Sequence, residues 1–418
     1  MSITMVAFVF LSAGKGTRLW PITETAPKTM VRVMGKPIIE WGVEAAVQVA
    51  EKVVLVVGAD GGVIRDHFAG KPYAEKLEFV AQAEQKGTGH ACLTARNAVN
   101  GPFIVLNGDT FYNPSFYALA AAEALKGTPF IVGKMVEDAS PSGLLQGEGG
   151  LLKGIIEKPQ PPGPGVIFTG CYFAQPDFFS YLERLSPSPR GELEVTDALC
   201  AYARDRQVRI LEHTGYWNDV GYYWNYLDTS LYCLENIMPD ARTGQVDDFV
   251  TIEGKVFIGK GSRILAGTFI EGPVFIGDNC VVGPGAFLRK GTVLEGGNHA
   301  GNSTEIKNSV IGRGSNVPHL SYVGDSILCE NVNLGAGTTV ANLKFDETPV
   351  EAEIKGRRVS SFKRKLGCVI GANSRVGVNA TINCGVLIGS NCRIYPNACV
   401  MRNVESGASA KDTGGGSD

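Results

Sequence analysis

Close to the N-terminus, the stretch LSAGKGTRLWPITETAPKTMVRVMGKP joins a glycine-rich turn to two cationic side chains. Gly14 and Gly16 leave backbone N–H groups open to an anion, and Arg18 and Lys28 follow with positive charge. N–H donors combined with two cations suit a triphosphate, although a plain glycine-rich turn would contain the same glycines. The stretch is not a P-loop, because the GxxxxGK[ST] pattern requires lysine directly after its second glycine, where this chain has Thr17.

These residues follow the first of several short apolar runs that alternate with helix-like segments up to about residue 236. The runs read VAFVFL, VVLVVG and FIVLNGD, and the helix-like segments read VEAAVQVA, HACLTARNAV and YALAAAEAL. Buried strands that alternate with helices predict an α/β domain built on a parallel-rich sheet. Ligands of such sheets bind at the carboxyl ends of the strands, and the glycine-rich turn lies at such an end.

The second half of the chain repeats every six residues, with an aliphatic side chain at the repeating position and glycine often beside it. Neither a helix period of 3.6 nor a strand period of 2 generates this spacing. The pattern predicts a hexapeptide parallel β-helix, with three short strands per coil, aliphatic side chains stacked inside and glycine or asparagine at the turns. The repeating positions are Ile252, Ile258, Ile264, Ile270, Ile276, Val282, Leu288, Leu294, Ala300 and Ile306; then, after a slip, Leu328, Leu334 and Val340; and then Ile370, Val376, Ile382, Ile388, Ile394 and Val400.

A chain of 418 residues is too long for one ordinary core, so we expect several segments of different character. The expected segments are an α/β domain over residues 1–236, a linker over 237–250, a β-helix over 251–405 and a disordered tail over 406–418. Proline, glycine and acidic residues in IMPDARTGQVDDF indicate the linker, and the composition of SGASAKDTGGGSD indicates the tail.

The composition favours a protein that acts on small molecules. A net charge of −3 argues against nucleic-acid binding through bulk electrostatics, because such proteins carry a basic footprint. The ten cysteines have no CxxC pairs, which predicts free thiols in a reducing compartment, and we expect a cytoplasmic protein. The apolar run near the N-terminus is too short to span a membrane, so no membrane partner is expected.

The N-terminal motifs resemble those of sugar-1-phosphate nucleotidylyltransferases. After the glycine-rich stretch and GKPIIEW, the motifs QAEQKGTGHA, LNGD, EKP, FTG and WNDVG follow in the family's order. The resemblance implies a Rossmann-like nucleotidyltransferase sheet. It also implies in-line attack of a sugar phosphate on the α-phosphorus of a nucleoside triphosphate, with pyrophosphate leaving, so that catalysis rests on positioning and charge neutralisation.

The resemblance assigns roles to individual residues of this domain. Arg18 and Lys28 are implied as catalytic cations on the phosphates, and Asp109 and Asp219 as ligands of Mg²⁺. Gln82 and Thr88 fall at the family's base-contacting positions. We expect both UTP and dTTP as substrates, because these two residues would read the shared pyrimidine edge and the sequence shows no filter for the 5-methyl or 2′-hydroxyl group. The sugar stays open because Phe168 stands where members that use N-acetylglucosamine 1-phosphate commonly have asparagine. The implied nucleotide contacts are Leu11, Ala13, Gly14, Gly16, Thr17, Gln82, Gly87 and Thr88, and the implied sugar-phosphate contacts are Gly143, Glu157, Lys158 and Thr169.

The segment LRKGTVLEGGNHAGNSTEIKNSVIGRGSNVPHLSYVGD resembles the acetyltransferase part of the bifunctional family that makes UDP-N-acetylglucosamine, in its archaeal form. The resemblance implies a left-handed β-helix in which His319 is the catalytic base. Arg289 and Lys307 are implied to bind the sugar phosphate, and Tyr322 and Asn342 to contact the sugar. These types suit N-acetyl transfer, since the substrate ammonium must lose a proton and histidine titrates near neutral pH.

Acetyl-coenzyme A is the implied acetyl donor. We expect it to contact Ala336 and Ala372 and, through the charge of a basic insertion, Lys363 and Lys365. Two departures from the bacterial pattern are Leu343, which replaces a tyrosine, and a basic insertion over residues 344–367. The insertion is either a solvated charged loop or a lid that holds coenzyme A phosphates.

The family packs three β-helices around an axis, so a homotrimer is implied. Two alternatives stay open. One is a monofunctional glucose-1-phosphate thymidylyl- or uridylyltransferase whose β-helix serves assembly alone. The other is a non-catalytic regulatory subunit, which the joint presence of Arg18, Lys28, Asp109 and Asp219 argues against.

Overall fold

The structure is a computed structural model that describes residues 6–14, 16–59 and 61–411. The chain divides into two compact units. The first unit comprises residues 1–15 and 37–219, and the second comprises residues 16–36 and 220–418. No helix among the described residues is long and apolar enough to cross a membrane.

The first unit is built on a mixed nine-stranded sheet with the strand order β5-β4-β1-β6-β11-β8-β12-β10-β9. Strands β5, β4, β1 and β6 are parallel neighbours, and β11 joins them antiparallel to β6. The predicted α/β sheet is therefore confirmed, and its second half is mixed. The first thirteen strands of the chain are β1 (Ala7–Ser12), β2 (Arg32–Val33), β3 (Lys36–Pro37), β4 (Val53–Val57), β5 (Leu77–Ala81), β6 (Phe103–Asn107), β7 (Thr110–Tyr112), β8 (Phe130–Val136), β9 (Gly143–Glu148), β10 (Leu151–Glu157), β11 (Gly165–Ala174), β12 (Arg209–Glu212) and β13 (Trp217–Asp219). Of these, β2 and β3 pair only with each other, and β2 lies in the second unit.

Helices cover this sheet, which explains why its central strands are apolar throughout. Every residue of β4 is buried, as expected for a parallel strand that packs on both faces. In α6, Val195, Leu199 and Tyr202 recur at helical spacing and pack in the core beneath the sheet. The helices of the protein are α1 (Ile38–Ala46), α2 (Gly62–Phe68), α3 (Thr88–Thr94), α4 (Ser115–Ala124), α5 (Phe179–Leu182), α6 (Val195–Asp205) and α7 (Tyr223–Asn236).

The second unit contains a parallel β-helix with three sides, each a sheet of eight or nine strands. Side one comprises β14 (Ala241–Arg242), β17 (Val256–Ile258), β20 (Val274–Ile276), β23 (Val293–Leu294), β26 (Val310–Ile311), β29 (Ile327–Leu328), β34 (Val369–Ile370) and β37 (Leu387–Ile388). Side two comprises β15 (Gln245–Val246), β18 (Arg263–Ile264), β21 (Val281–Val282), β24 (His299–Asn302), β27 (Asn316–His319), β30 (Asn333–Leu334), β35 (Arg375–Val376), β38 (Arg393–Ile394) and β40 (Ser409–Ala410). Side three comprises β16 (Thr251–Glu253), β19 (Phe269–Glu271), β22 (Phe287–Leu288), β25 (Glu305–Lys307), β28 (Tyr322–Gly324), β31 (Thr339–Val340), β36 (Thr381–Ile382) and β39 (Cys399–Val400).

The repeating aliphatic side chains form the core of the β-helix, as predicted. Leu288 and Ile306, for example, are fully buried and stack directly on each other in successive coils. The predicted use of asparagine at the turns is also confirmed, since Asn279, Asn373 and Asn391 adopt left-handed φ angles of 57°, 60° and 59°.

The slip in the six-residue period has a structural explanation. Leu288 pairs with Ile306, eighteen residues later, whereas Ile306 pairs with Val323, only seventeen residues later. The next coil is equally short, because Tyr322 pairs with Thr339. The strands of the shortened coils remain stacked, and each of these coils shifts the six-residue spacing in the sequence by one position.

Three segments that the six-residue repeat does not cover also have defined structure. Within the predicted linker 237–250, β14 and β15 pair with β17 and β18. Within residues 406–411 of the predicted tail, β40 pairs with β38, while residues 412–418 lie outside the described residues. The insertion forms an antiparallel hairpin of β32 (Glu351–Ile354) and β33 (Arg357–Ser360). The domain limits themselves stay predictions.

Candidate active sites

In the first unit, a small two-stranded sheet brings together the two carboxylates that were predicted to bind Mg²⁺. Strands β7 and β13 are antiparallel, and Asp219 pairs with Thr110, the residue that follows Asp109. The two acids therefore share one end of this sheet. No group of three or more histidine, cysteine, aspartate or glutamate side chains suited to a metal occurs in the described part of the chain. Mg²⁺ fits this pair, because it binds one or two carboxylates together with substrate phosphates and water.

The loop before Asp109 packs tightly on the carboxyl end of β1, where nucleotide contacts were predicted. The backbone N–H of Gly108 donates to the carbonyl of Leu11 at 2.9 Å. A Cβ at position 108 would lie 2.2 Å from Oγ of Ser12, so glycine is required there. Ala13 follows directly, and its carbonyl accepts a hydrogen bond from the side chain of Gln85. The structure thus places Leu11 and Ala13 beside the Asp109 loop.

Three of the predicted nucleotide contacts, Gln82, Gly87 and Thr88, lie together near the start of α3. Gln82 is 3% exposed, and its Nε2 lies 2.9 Å from Nδ1 of His90 and 3.5 Å from the carbonyl of Gly87. Gly87 has a φ of 104°, and a Cβ there would lie 2.7 Å from the carbonyl of Leu193. The hydroxyl of Thr88 accepts the N–H of Val195, which anchors this loop to the start of α6.

The residues predicted to bind the sugar phosphate lie on neighbouring strands of the same sheet. Gly143 and Glu157 are directly paired between β9 and β10, and Lys158 follows with a left-handed φ of 50°. Thr169 is buried in β11 and donates from Oγ1 to the carbonyl of Val132 at 2.9 Å. Nη2 of Arg190 lies 3.9 Å from Oε2 of Glu157; no sequence motif singles out this arginine, which lies in an irregular loop.

In the second unit, residues 16–36 fold into three short 3₁₀ turns that carry the two predicted catalytic cations. Gly16 has a φ of 62°, and a Cβ there would lie 2.6 Å from Cβ of Lys28, so the glycine permits the close approach of the lysine. Lys28 is 6% exposed. Thr17 begins the first turn, and the guanidinium of Arg18 lies over the ring of Tyr222 at 5.1 Å. Lys15 lies outside the described residues, and Gly14 is exposed.

The predicted acetyltransferase residues gather on side three of the β-helix. Leu288 pairs with Ile306, so the following residues Arg289 and Lys307 project from neighbouring strands, which lie about 4.8 Å apart in such sheets. Arg289 donates to Glu305 at 2.8 Å and lies 3.5 Å from Glu271. The contact with Glu271 is an ion pair between the buried Nε of Arg289 and Oε2 of the glutamate, without hydrogen-bond geometry. Arg289 and Lys307 can therefore bind one phosphate dianion together, in competition with the carboxylates that already pair with Arg289.

A buried acid organises the next coil of this surface. Asp325 is 5% exposed and has a left-handed φ of 50°. Its carboxylate accepts from the side chains of Asn308 and Asn342 and lies 3.9 Å from Nζ of Lys307. Asn342 also donates to the hydroxyl of Tyr322 at 3.2 Å. Asp325 was not predicted from the sequence, although the GD pair that closes the family-like segment is a turn signal with a carboxylate.

Burial also acts on the chemistry of Tyr322. Burial raises the pKa of its hydroxyl, with a further contribution from the negative charge of Asp325. The phenol is therefore protonated at neutral pH and can donate a hydrogen bond to a sugar oxygen, while it accepts one from Asn342.

His319 lies at the corner between sides two and three. It ends β27, its register partner in the previous coil is Asn302, and the next strand begins at Tyr322. The imidazole is exposed at this corner. Ala336 lies one coil further along, where the carbonyl of His319 accepts the N–H of Gly337 at 3.3 Å. Ala372 follows β34 on side one and therefore lies at a different corner.

Comparisons with known proteins show to which family the chain belongs. The family model described as nucleotidyl transferase matches residues 7–236, more than half of the chain, and the model described as GMPPB C-terminal domain matches residues 252–348. A bifunctional sugar-1-phosphate nucleotidylyltransferase/acetyltransferase of Sulfurisphaera tokodaii is 42% identical over 406 residues, which cover 96% of this chain and 99% of the relative. The chain belongs to this bifunctional family.

Other relatives agree. The bifunctional protein GlmU of Methanocaldococcus jannaschii is 38% identical over 400 residues, which cover 95% of each chain. Among solved structures, an apo UDP-glucose pyrophosphorylase is 27% identical with a TM-score of 0.50, covering 56% of this chain and 100% of that one. This member of the bifunctional family is thus an enzyme, a nucleotidyltransferase and an acyltransferase, and no comparison favours the monofunctional or regulatory alternatives.

Within this family member, the basic insertion is attached to the rest of the second unit. Nζ of Lys363 lies 2.8 Å from Oδ1 of Asp228 in α7, and Lys365 forms an isolated β-bridge with Leu343. The carbonyl of Glu353 in β32 accepts from the side chain of Asn403 at 2.9 Å. Lys365 is therefore bridged to the residue that follows Asn342, whereas the ammonium of Lys363 is already paired.

Proposed function

We propose that this enzyme acetylates glucosamine 1-phosphate from acetyl-coenzyme A on its β-helix and transfers a uridylyl or thymidylyl group from UTP or dTTP to the N-acetylglucosamine 1-phosphate product. The observation that carries the proposal is the surface on side three, where Arg289 and Lys307 project from neighbouring coils beside Tyr322 and Asn342. A β-helix that served assembly alone would have no use for this buried polar network, which is costly unless it is satisfied.

In the acetyl transfer that we propose, Arg289 and Lys307 hold the phosphate and thereby the sugar. Tyr322 and Asn342 orient the ring so that its nitrogen faces the corner of His319. The imidazole takes a proton from the substrate ammonium, and the freed amine attacks the thioester carbonyl of acetyl-coenzyme A. The carbon–sulfur bond then breaks, the amide forms and the coenzyme leaves as a thiol. Ala336 at the same corner and Lys365 beside Leu343 are proposed contacts of the coenzyme. Ala372 is a weaker candidate because it lies at a different corner of the β-helix, and Lys363 because its ammonium is paired with Asp228.

In the nucleotidyl transfer that we propose, Arg18 and Lys28 neutralise the triphosphate and the approaching sugar phosphate. Asp109 and Asp219 would hold Mg²⁺, which supplies positive charge to the phosphate oxygens of both substrates. Gln82 and Thr88 read the pyrimidine edge, and their loop is held by α3 and α6. Glu157 and Thr169 contact the sugar. No covalent intermediate is required, because one displacement at the α-phosphorus completes the reaction.

The remaining parts of the proposal concern assembly and compartment. We infer a homotrimer built through the left-handed β-helix, with acetyltransferase sites between neighbouring copies. All ten cysteines are free in the structure, which supports a reducing, cytoplasmic location. The proposed partners are small molecules, with no nucleic acid and no membrane.

Product analysis tests the proposal. The enzyme is incubated with Mg²⁺ and UTP or dTTP and with glucosamine, galactosamine or glucose 1-phosphate, each with and without acetyl-coenzyme A. We expect UDP-N-acetylglucosamine from glucosamine 1-phosphate only when acetyl-coenzyme A is present. Formation of a nucleotide-linked glucose without any N-acetylated sugar would instead favour the monofunctional alternative.

A further inference from the structure

The segment 16–36, which carries Arg18 and Lys28, is held by the β-helix at two distant coils. At one end, Oε2 of Glu24 accepts the backbone N–H of Ser390 at 2.9 Å, and Oε1 accepts the hydroxyl of Ser406. Nε1 of Trp20 donates to the same carboxylate at 2.7 Å. Desolvation acts to raise the pKa of Glu24, but these hydrogen bonds outweigh it and lower the pKa, so the carboxylate is ionised.

At the other end, Glu295 reaches from the β-helix to the segment. Its Oε2 accepts the backbone N–H of Gly35 at 2.7 Å, and the residue is 4% exposed. Its Oε1 has no partner in the described part of the chain. The hydroxyl of Tyr226 in α7 donates to the carbonyl of Arg32 nearby. The backbone N–H of Met34 and the positive charges of Arg32 and Arg313 also act on this carboxyl group. Burial of a carboxyl group is costly without such partners, and three of these partners, Arg32, Met34 and Gly35, belong to the segment.

These two anchors lie far apart on the β-helix. Glu295 follows β23 and Ser390 follows β37, and three strands of side one separate them. At about 4.8 Å per strand, the anchors span roughly 19 Å. The segment makes a further contact next to α7, because the guanidinium of Arg18 lies over the ring of Tyr222, the residue that precedes this helix. The cations of the segment are therefore fixed relative to the coils of the β-helix.

We propose that the β-helix positions segment 16–36 for nucleotidyl transfer and that Glu24 and Glu295 are positioning residues for Arg18 and Lys28. The inference rests on the proposed roles of those two cations. Displacement of a positioning group by about 1 Å can lower a rate about a hundredfold. Loss of Glu24 or Glu295 can therefore lower the rate of nucleotidyl transfer although neither side chain contacts a substrate.

The first experiment compares Glu24→Ala, Glu24→Gln and the matched control Glu253→Ala, which removes an exposed glutamate from β16. Nucleotidyl transfer is followed as pyrophosphate release from UTP, and acetyl transfer as thiol release from acetyl-coenzyme A. In Glu24→Ala we expect kcat for nucleotidyl transfer to fall by about ten- to a hundredfold, with a smaller change in KM for the sugar phosphate. Glu24→Gln keeps an acceptor oxygen and should recover most of the rate, and acetyl transfer should be unchanged in all three variants.

Ser406→Ala removes the partner hydroxyl from the other side and gives a milder variant in case Glu24→Ala fails to fold. If the contact positions the segment, the effects of Glu24→Ala and Ser406→Ala on kcat will be less than additive in the double variant. Wild-type nucleotidyl transfer in Glu24→Ala, or equal losses of both activities in Glu24→Ala and Glu24→Gln, would overturn the inference. Lys28→Ala separates the two failures: if it retains nucleotidyl transfer, the proposed function of the segment is wrong; if it loses activity while Glu24→Ala does not, only the positioning inference is wrong.

Discussion

The buried carboxyl group of Glu295 should make the free energy of unfolding depend on pH. Burial raises the pKa of Glu295 from 4.5 to about 7, although Gly35, Arg32 and Arg313 act in the opposite direction. The hydroxyl of Tyr226 also faces this group. Between pH 4.5 and about 7 the folded protein therefore binds more protons at this site than the unfolded chain does. The free energy of unfolding consequently falls as the pH rises through this window.

The size of this effect follows from the difference between the two pKa values. At about 1.4 kcal/mol per pKa unit, the change from 4.5 to about 7 corresponds to about 3 kcal/mol of stability lost between pH 4.5 and pH 8. Glu295→Gln is neutral at every pH and keeps an oxygen that accepts the N–H of Gly35. The variant should therefore exceed the stability of the wild type by less than about 1 kcal/mol at pH 5 and by up to about 3 kcal/mol at pH 8.

Urea unfolding at pH 5, 6, 7 and 8 measures the difference between Glu295→Gln and the wild type, with Glu253→Gln as an exposed control. We expect the advantage of Glu295→Gln to grow steadily with pH and the control to follow the wild type. Parallel pH dependence of Glu295→Gln and the wild type would refute the reasoning, because it would mean that the carboxyl group titrates alike in the folded and unfolded states.

Three further predictions concern the proposed activities. Asp219→Asn should abolish pyrophosphate release at saturating Mg²⁺ while the circular dichroism spectrum stays that of the wild type, and a normal rate would exclude Asp219 as a metal ligand. UTP and dTTP should compete within a thousandfold, which is about 4 kcal/mol, because Gln82 and Thr88 read an edge that both bases share; a larger preference in a competition assay would reveal an additional filter. Light scattering at micromolar concentration should report three chains per particle, and a monomer would argue against both the assembly and the acetyltransferase site.

The β-helix was predictable because its core repeats in the sequence. Each coil returns an aliphatic side chain to the same inward position, so the spacing of Leu288 and Ile306 alone indicates that they stack. The turns were equally predictable, since few residues other than glycine and asparagine tolerate a left-handed φ. The coils of seventeen residues were not predicted. A coil that is one residue shorter still stacks its strands on the previous coil, so the sequence shows only a shift in the six-residue spacing.

The sequence predicted which residues belong to the sites, but not which residues of other elements lie next to them. The order of the motifs indicated Asp109 and Asp219, but only the pairing of β7 with β13 puts them at one end of a sheet. Charge alone suggested that Lys363 binds coenzyme A, whereas in the fold its ammonium lies beside Asp228 of a helix more than a hundred residues away in the chain. The anchoring of Glu24 to Ser390 is invisible in the sequence for the same reason, since the two residues lie 366 positions apart and the N-terminal motif gives Glu24 no role.

The central claim is that one chain carries two separable transferase sites. The most direct measurement gives glucosamine 1-phosphate, acetyl-coenzyme A, UTP and Mg²⁺ to the wild type, to His319→Ala and to Lys28→Ala, and follows thiol and pyrophosphate release together. We predict that His319→Ala releases thiol about 10²–10⁴-fold more slowly, yet releases pyrophosphate normally when N-acetylglucosamine 1-phosphate is supplied. Lys28→Ala should show the reverse pattern. If the wild type releases no thiol with any amino-sugar phosphate, or if His319→Ala releases it at the wild-type rate, the proposed acetyltransferase site is wrong.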